Sequence, residues 1–179
     1  MIIMTVSKRL AFGLILVVIS TFIYANNFVP MKKPQKSKWS LQMGFETNYT
    51  GNNGFLHAGY SIKKHKLEAG VNYNFSDGFA ANPVLGIDLS YSYKVVESYR
   101  WSASIGLDYR RQKPLKIVNI QLLNYTTGVT YKWMPKLYLT SKLGYGLAAE
   151  RAASAGSFAQ SNNISGSFQF GCVYRFVSY

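Results

Sequence analysis

A single cysteine, Cys172, stands in a chain of 179 residues, so no internal disulfide can staple the fold. Acids are scarce too: seven Asp and Glu stand against twenty Lys and Arg, for a formal net charge of +13. Histidine occurs only twice. No cluster of His, Cys and carboxylates has metal-ligand spacing, so neither a metal nor another cofactor is expected. Beyond Ala25 no apolar run approaches the ~20 residues that a transmembrane helix needs. If the mature chain enters a membrane, it does so as strands.

The start of the chain is set apart. Lys8 and Arg9 precede an apolar run from Leu10 to Tyr24, and Ala25 followed by Asn26 offers a cleavage point. A charged region, an apolar region and a small residue make residues 1–25 a secretory signal. Removing Lys8 and Arg9 leaves a charge of 13 − 2 = +11. Such an excess points to nucleic acid or to anionic membrane. Export removes nucleic acid and leaves anionic lipid or a purely solvating role. Residues 26–37 hold Pro30, Pro34, Lys32, Lys33 and Lys36, a disordered basic lead-in on the periplasmic side. Residues 38–179 are the right length for one domain.

That domain alternates apolar and polar residues with the period of a strand. Trp39, Leu41, Met43, Phe45, Thr47 and Tyr49 share one face, and Ser40, Gln42, Gly44, Glu46 and Asn48 the other. About eight such segments follow one another: 38–50, 55–63, 66–75, 83–93, 99–110, 123–133, 136–150 and 163–176. Each is near the ~9–11 residues that a tilted strand needs to cross a bilayer. Tight turns at 63–66, 94–98 and 134–135 alternate with longer connections at 76–82, 111–122 and 151–162. That rhythm predicts an all-β, closed, antiparallel up-and-down barrel with its termini on the short-turn rim.

Aromatics sort by height. Trp39, Tyr93, Trp101, Trp133 and Phe176 fall near one rim, Tyr49, Phe75, Tyr109 and Tyr125 near the other, with aliphatics and alanines between. Two girdles around an aliphatic band suit a bilayer exterior. Gly44, Gly59, Gly70, Gly86, Gly106, Gly128, Gly144, Gly146 and Gly171 share the opposite phase, as the cramped interior of a narrow barrel requires.

The charges also divide. Glu46, Glu68, Asp88, Asp108 and Glu150 take the inward phase, and so do Arg100, Arg110, Lys132, Lys142 and Arg175. Charges inside a small barrel must pair. Strand height pairs Asp88 with Lys142 at mid-depth, and Glu68 with Arg100 or Arg175 lower down. The surplus cations lie on the rims. Lys63, Lys64 and Lys66 are candidates for inner-leaflet anionic headgroups, and Arg111, Lys113, Lys116 and Arg151 for lipopolysaccharide phosphates.

The last strand reads Gln169-Phe170-Gly171-Cys172-Val173-Tyr174-Arg175-Phe176. It resembles the C-terminal insertion signal of bacterial outer-membrane proteins, carried here by Gln169, Gly171, Tyr174 and Phe176. It departs in that three residues, Val177, Ser178 and Tyr179, follow the final aromatic. With the export signal and the hairpin rhythm, the mature chain resembles the small OmpA/OmpX-type barrels of Gram-negative bacteria. The resemblance implies an integral outer-membrane location and the barrel-assembly machinery as a biogenesis partner. It does not imply an activity.

Some barrels of that kind hydrolyse lipid A with a Ser–His–acid set, which must face the lipid. Here His57 is inward with Ser61 on its face, and no His-x-Ser element occurs. No catalytic residue is expected. His65 falls in a basic turn and Cys172 on the lipid face, an apolar filler. A structural or surface-interaction protein with a filled polar lumen is the expected function. The alternatives are a narrow porin-like channel or transporter for small solutes, and a lipid A-modifying hydrolase.

Overall fold

The computed structural model describes residues 39–76, 84–115, 117–154 and 157–176. The signal and lead-in expected at 1–37 lie outside the described residues, as do Lys116 and residues 177–179. Eight strands follow in order: β1 (Trp39–Asn48), β2 (Gly51–Ile62), β3 (His65–Asn74), β4 (Val84–Glu97), β5 (Trp101–Leu115), β6 (Val118–Lys132), β7 (Leu137–Ser154) and β8 (Ser157–Arg175). Each pairs antiparallel with the next, and β8 returns to β1, so the sheet closes into a barrel.

The barrel is inside out relative to a water-soluble domain. Phe45 is 68% exposed and Leu85 69%, whereas Gln42 and Asn72 are each 1% exposed. Apolar side chains pointing outward suit lipid, and within the closed belt each strand is paired on both sides, as a bilayer requires. Trp39 and Trp101 lie at the short-turn rim against Tyr60 and Tyr131, with ring centroids 4.8 and 4.5 Å apart.

Two of the long connections expected from the sequence are strand instead. Residues 111–115 continue β5 and 118–122 open β6, and 151–154 continue β7 and 157–162 open β8. Pro114 has no N–H to give, and the β5–β6 register breaks beside it, between Gln112 and Leu115. The inner face of this extension carries an apolar cluster of Ile120, Leu122 and Ala148, with Tyr49 and Val118 packed against it.

Two local features set strand positions. The β2–β3 turn holds Lys63 at φ 54°, a left-handed conformation uncommon for a residue with a Cβ. A bulge between Lys94 and Val96 shifts the β4–β5 register by one residue. The closing seam is also specialised: Gly44 of β1 lies opposite Gly171 of β8 and, on its other side, opposite Phe55 of β2. A Cβ at Gly44 would overlap the Phe170 carbonyl, and one at Gly171 would stand 3.1 Å from Phe55 Cζ. The buried Phe55 ring fills the space that the glycines leave, a form of aromatic rescue.

Candidate functional site

The barrel interior holds two charge clusters at different heights. The upper one centres on Asp88, near the long-loop end of β4, and on Arg110, its cross-strand neighbour on β5. Arg110 donates from Nε to Asp88 Oδ1 at 2.6 Å and from Nη2 to Glu46 Oε2 at 2.5 Å. One guanidinium thus ties β1, β4 and β5 together across the lumen. Asp88 also meets His57 Nε2 at 2.8 Å and accepts from Asn72 Nδ2 at 2.5 Å. Gln112 Nε2 extends the cluster upward, donating to Asn72 and, at 2.8 Å, to Asn53 Oδ1. Every carboxylate in the cluster accepts from a charged or amide donor, which a buried charge demands.

The lower cluster centres on Glu68. Lys142 Nζ approaches Glu68 Oε2 at 3.1 Å and Lys66 Nζ approaches Oε1 at 2.6 Å. Ser90 links this cluster to Asp108, donating to Oδ1 at 2.5 Å. Between the clusters lies a cavity of about 20 Å³, bordered by Glu46, His57, Asp88, Asp108, Arg110, Asn124 and Gln169 among others. Arg110 Nη1, Asn124 Oδ1 and Gln169 Oε1 are buried there without hydrogen-bond partners among the described residues.

Several expected placements are corrected. Asp88 pairs with Arg110 and His57, not Lys142. β7 runs on to Ser154, so Lys142 sits toward its short-turn end, level with Glu68. Glu68 in turn pairs with Lys142 and Lys66, not with Arg100 or Arg175. Arg100 is exposed in the β4–β5 connection, outside the lumen. Lys66, expected among lipid headgroups, turns inward because it shares the phase of Glu68.

The remaining inward cations sit near the short-turn rim on aromatic rings. Lys132 Nζ lies 5.0 Å from the Tyr99 ring centroid, and the Arg175 guanidinium lies 3.8 Å from that of Tyr138. Glu150, at the opposite end, neighbours the Tyr49 hydroxyl, which accepts from Asn163 Nδ2 at 2.8 Å. Lys63, Lys64, Arg111, Lys113 and Arg151 are exposed or nearly so. In the last strand Gln169 and Gly171 face inward, while Tyr174 and Phe176 face outward with rings 5.3 Å apart. Among the described residues no group of three His, Cys, Asp or Glu is placed to hold a metal.

Sequence reasoning missed Phe55, the amides Asn53, Asn72 and Gln112, and the role of His57 as an Asp88 partner. The inward phase of Phe55, His57 and Asn72 was readable, whereas Asn53 and Gln112 fell in stretches that read as connections, and the partners of all five depend on register across several strands.

No protein-family model matches the chain, and no curated protein does. Solved structures do match. The N-terminal β-barrel domain of Pseudomonas aeruginosa OprF aligns with a TM-score of 0.57 at 9% identity, over 79% of this chain and 99% of that one. The outer-membrane protein AlkL, solved in lipid bilayers, gives 0.50 at 13% identity, over 85% and 97%. A de novo designed barrel, TMB2.3, gives 0.51 at 13% identity, over 82% and 98%. At such identities the likeness is one of fold. The chain thus shares the closed barrel fold of these proteins and turns an apolar face outward.

Proposed function

We propose that this protein is a closed outer-membrane barrel with a structural or surface-interaction role, and that its lumen is a plug and not a path. The observation that carries this reading is Arg110, which bridges Glu46 and Asp88 on opposite sides of a narrow interior. The cavity beside it, about 20 Å³, has room for no more than a water molecule. A barrel of eight strands is filled by its side chains, which supports the same reading.

The hydrolase alternative has little to support it. His57 engages Asp88 inside the barrel, away from the lipid where such a substrate lies. Exported protein would reach its place through the barrel-assembly machinery, using the Tyr174 and Phe176 end of β8. The exposed Lys63 and Lys64 at the short-turn rim suit inner-leaflet phosphates.

Planar-bilayer recording on the refolded protein tests the reading. Negligible conductance is expected. A robust wild-type conductance would overturn it in favour of the channel, and lipid A deacylation lost in His57→Ala would favour the enzyme.

A further inference from the structure

Above the outer aromatics Tyr109, Tyr125 and Tyr145, strands β5 to β8 continue as a four-stranded ledge. Its inner face buries Ile120 and Leu122, which fixes the direction of the other face. Outward there, Arg111 lies opposite Gln121, Asn119 opposite Arg151, and Arg151 opposite Gln160. Lys113 is exposed two residues along β5 from Arg111. Among the described residues no carboxylate shares this face: Glu46, Glu68 and Asp88 are buried in the lumen, Asp108 and Glu150 point inward, and Glu97 is on the other rim.

Position and chemistry agree. Arg111 stands two residues beyond Tyr109, roughly 7 Å along the strand, at the level where headgroups begin above an aromatic girdle. Asn119 Oδ1 accepts from Arg111 Nε at 3.1 Å, which holds the guanidinium while its terminal nitrogens stay free of the described residues. A held guanidinium suits two-pronged phosphate binding. Asn119, Gln121 and Gln160 add the donors and acceptors that sugar hydroxyls need.

We infer that this ledge binds the phosphorylated sugar headgroup of an outer-leaflet glycolipid. The arginines and Lys113 take the phosphates and the amides take the sugar hydroxyls. The inference deepens the outer-membrane reading above and rests on it.

The test is native mass spectrometry of the refolded full-length barrel released from nanodiscs. The discs contain diphosphorylated lipid A, its dephosphorylated form, or phosphatidylglycerol. The wild type should retain diphosphorylated lipid A over both other lipids. Arg111→Gln and Arg151→Gln should each weaken retention about fivefold, the effect of one cation at a membrane surface. Gln160→Ala should weaken retention of lipid A but not of phosphatidylglycerol. Equal retention by wild type and variants would overturn the inference. So would equal retention of phosphatidylglycerol, which marks a generic charge effect, or displacement by inorganic phosphate alone. Heat-shifted gel mobility checks each variant's fold, and Lys113→Gln replaces any variant that fails. Conductance measured in parallel separates the two readings: an open wild-type pore would defeat the passive plug while leaving glycolipid retention standing.

Discussion

His57 Nε2 lies 2.8 Å from Asp88 Oδ2 although the two belong to β2 and β4, because Gly70 of β3 occupies the position between them. A carboxylate only accepts, so the imidazole proton sits on Nε2. A Cβ at position 70 would overlap His57 and the Leu56 carbonyl. Gly70→Val should therefore separate the pair and destabilise the barrel by about 1–3 kcal/mol, the usual cost of overpacking. Urea midpoints and the His57 imidazole resonances check this; an unchanged midpoint would mean the strands part without strain.

Arg110 and Lys142 should differ in what their loss exposes. Arg110→Met takes the guanidinium from two buried carboxylates, leaving Glu46 with no cation and Asp88 with His57 and Asn72, and should cost about 3–5 kcal/mol. Lys142→Ala leaves Glu68 with Lys66, so about 1–3 kcal/mol is expected. Double-mutant cycles should show strong coupling of Arg110 with Asp88 and near-additivity of Lys142 with Asp88. Strong Lys142–Asp88 coupling would contradict the two-cluster arrangement.

The cavity between the clusters should hold one ordered water. Its volume of about 20 Å³ suffices for a single molecule, which needs two to four polar partners. Arg110 Nη1 can donate to it, and Asn124 Oδ1 and Gln169 Oε1 can accept from it. Long-lived water cross-relaxation to the Arg110 side chain is expected by NMR, and Gln169→Leu should abolish it. A dry cavity in the wild type would refute the prediction.

Replacing Tyr174 and Phe176 together by Ser should lower the yield of inserted barrel several-fold. Both rings face lipid at the short-turn end of β8, where an aromatic girdle anchors a barrel. The fraction of heat-modifiable protein in isolated outer membranes measures it. Normal yield would make the terminal resemblance accidental.

Which way each side chain points was legible in the sequence wherever lipid enforced it. Between the girdles the outward face must be apolar and the inward face polar, so Leu85, Ile87 and Leu89 announce their strand. Past the girdle that contrast disappears. Arg111, Asn119 and Gln121 point outward although they are polar, Ile120 and Leu122 point inward although they are apolar, and the extended hairpins look like loops. The pairing of charges was illegible for another reason. It depends on strand tilt, unequal strand lengths and the bulge at Lys94 and Val96, none of which alternation encodes. Counting from the turns put Asp88 and Lys142 at one height; the longer β7 lowers Lys142 to Glu68.

The glycine seam has a kinetic meaning. Meeting of the first and last strands is the contact with the greatest sequence separation in the barrel, the slowest kind to form. It is also open to slippage, since a shift of two residues keeps every side chain on its proper face. Such a shift would set Gln169 or Val173 opposite Gly44 in place of Gly171. The Phe55 ring would then find a side chain where it now finds a slot. The seam therefore acts as a key that admits one register, and a chain that closes wrongly is left with an aromatic ring it cannot house.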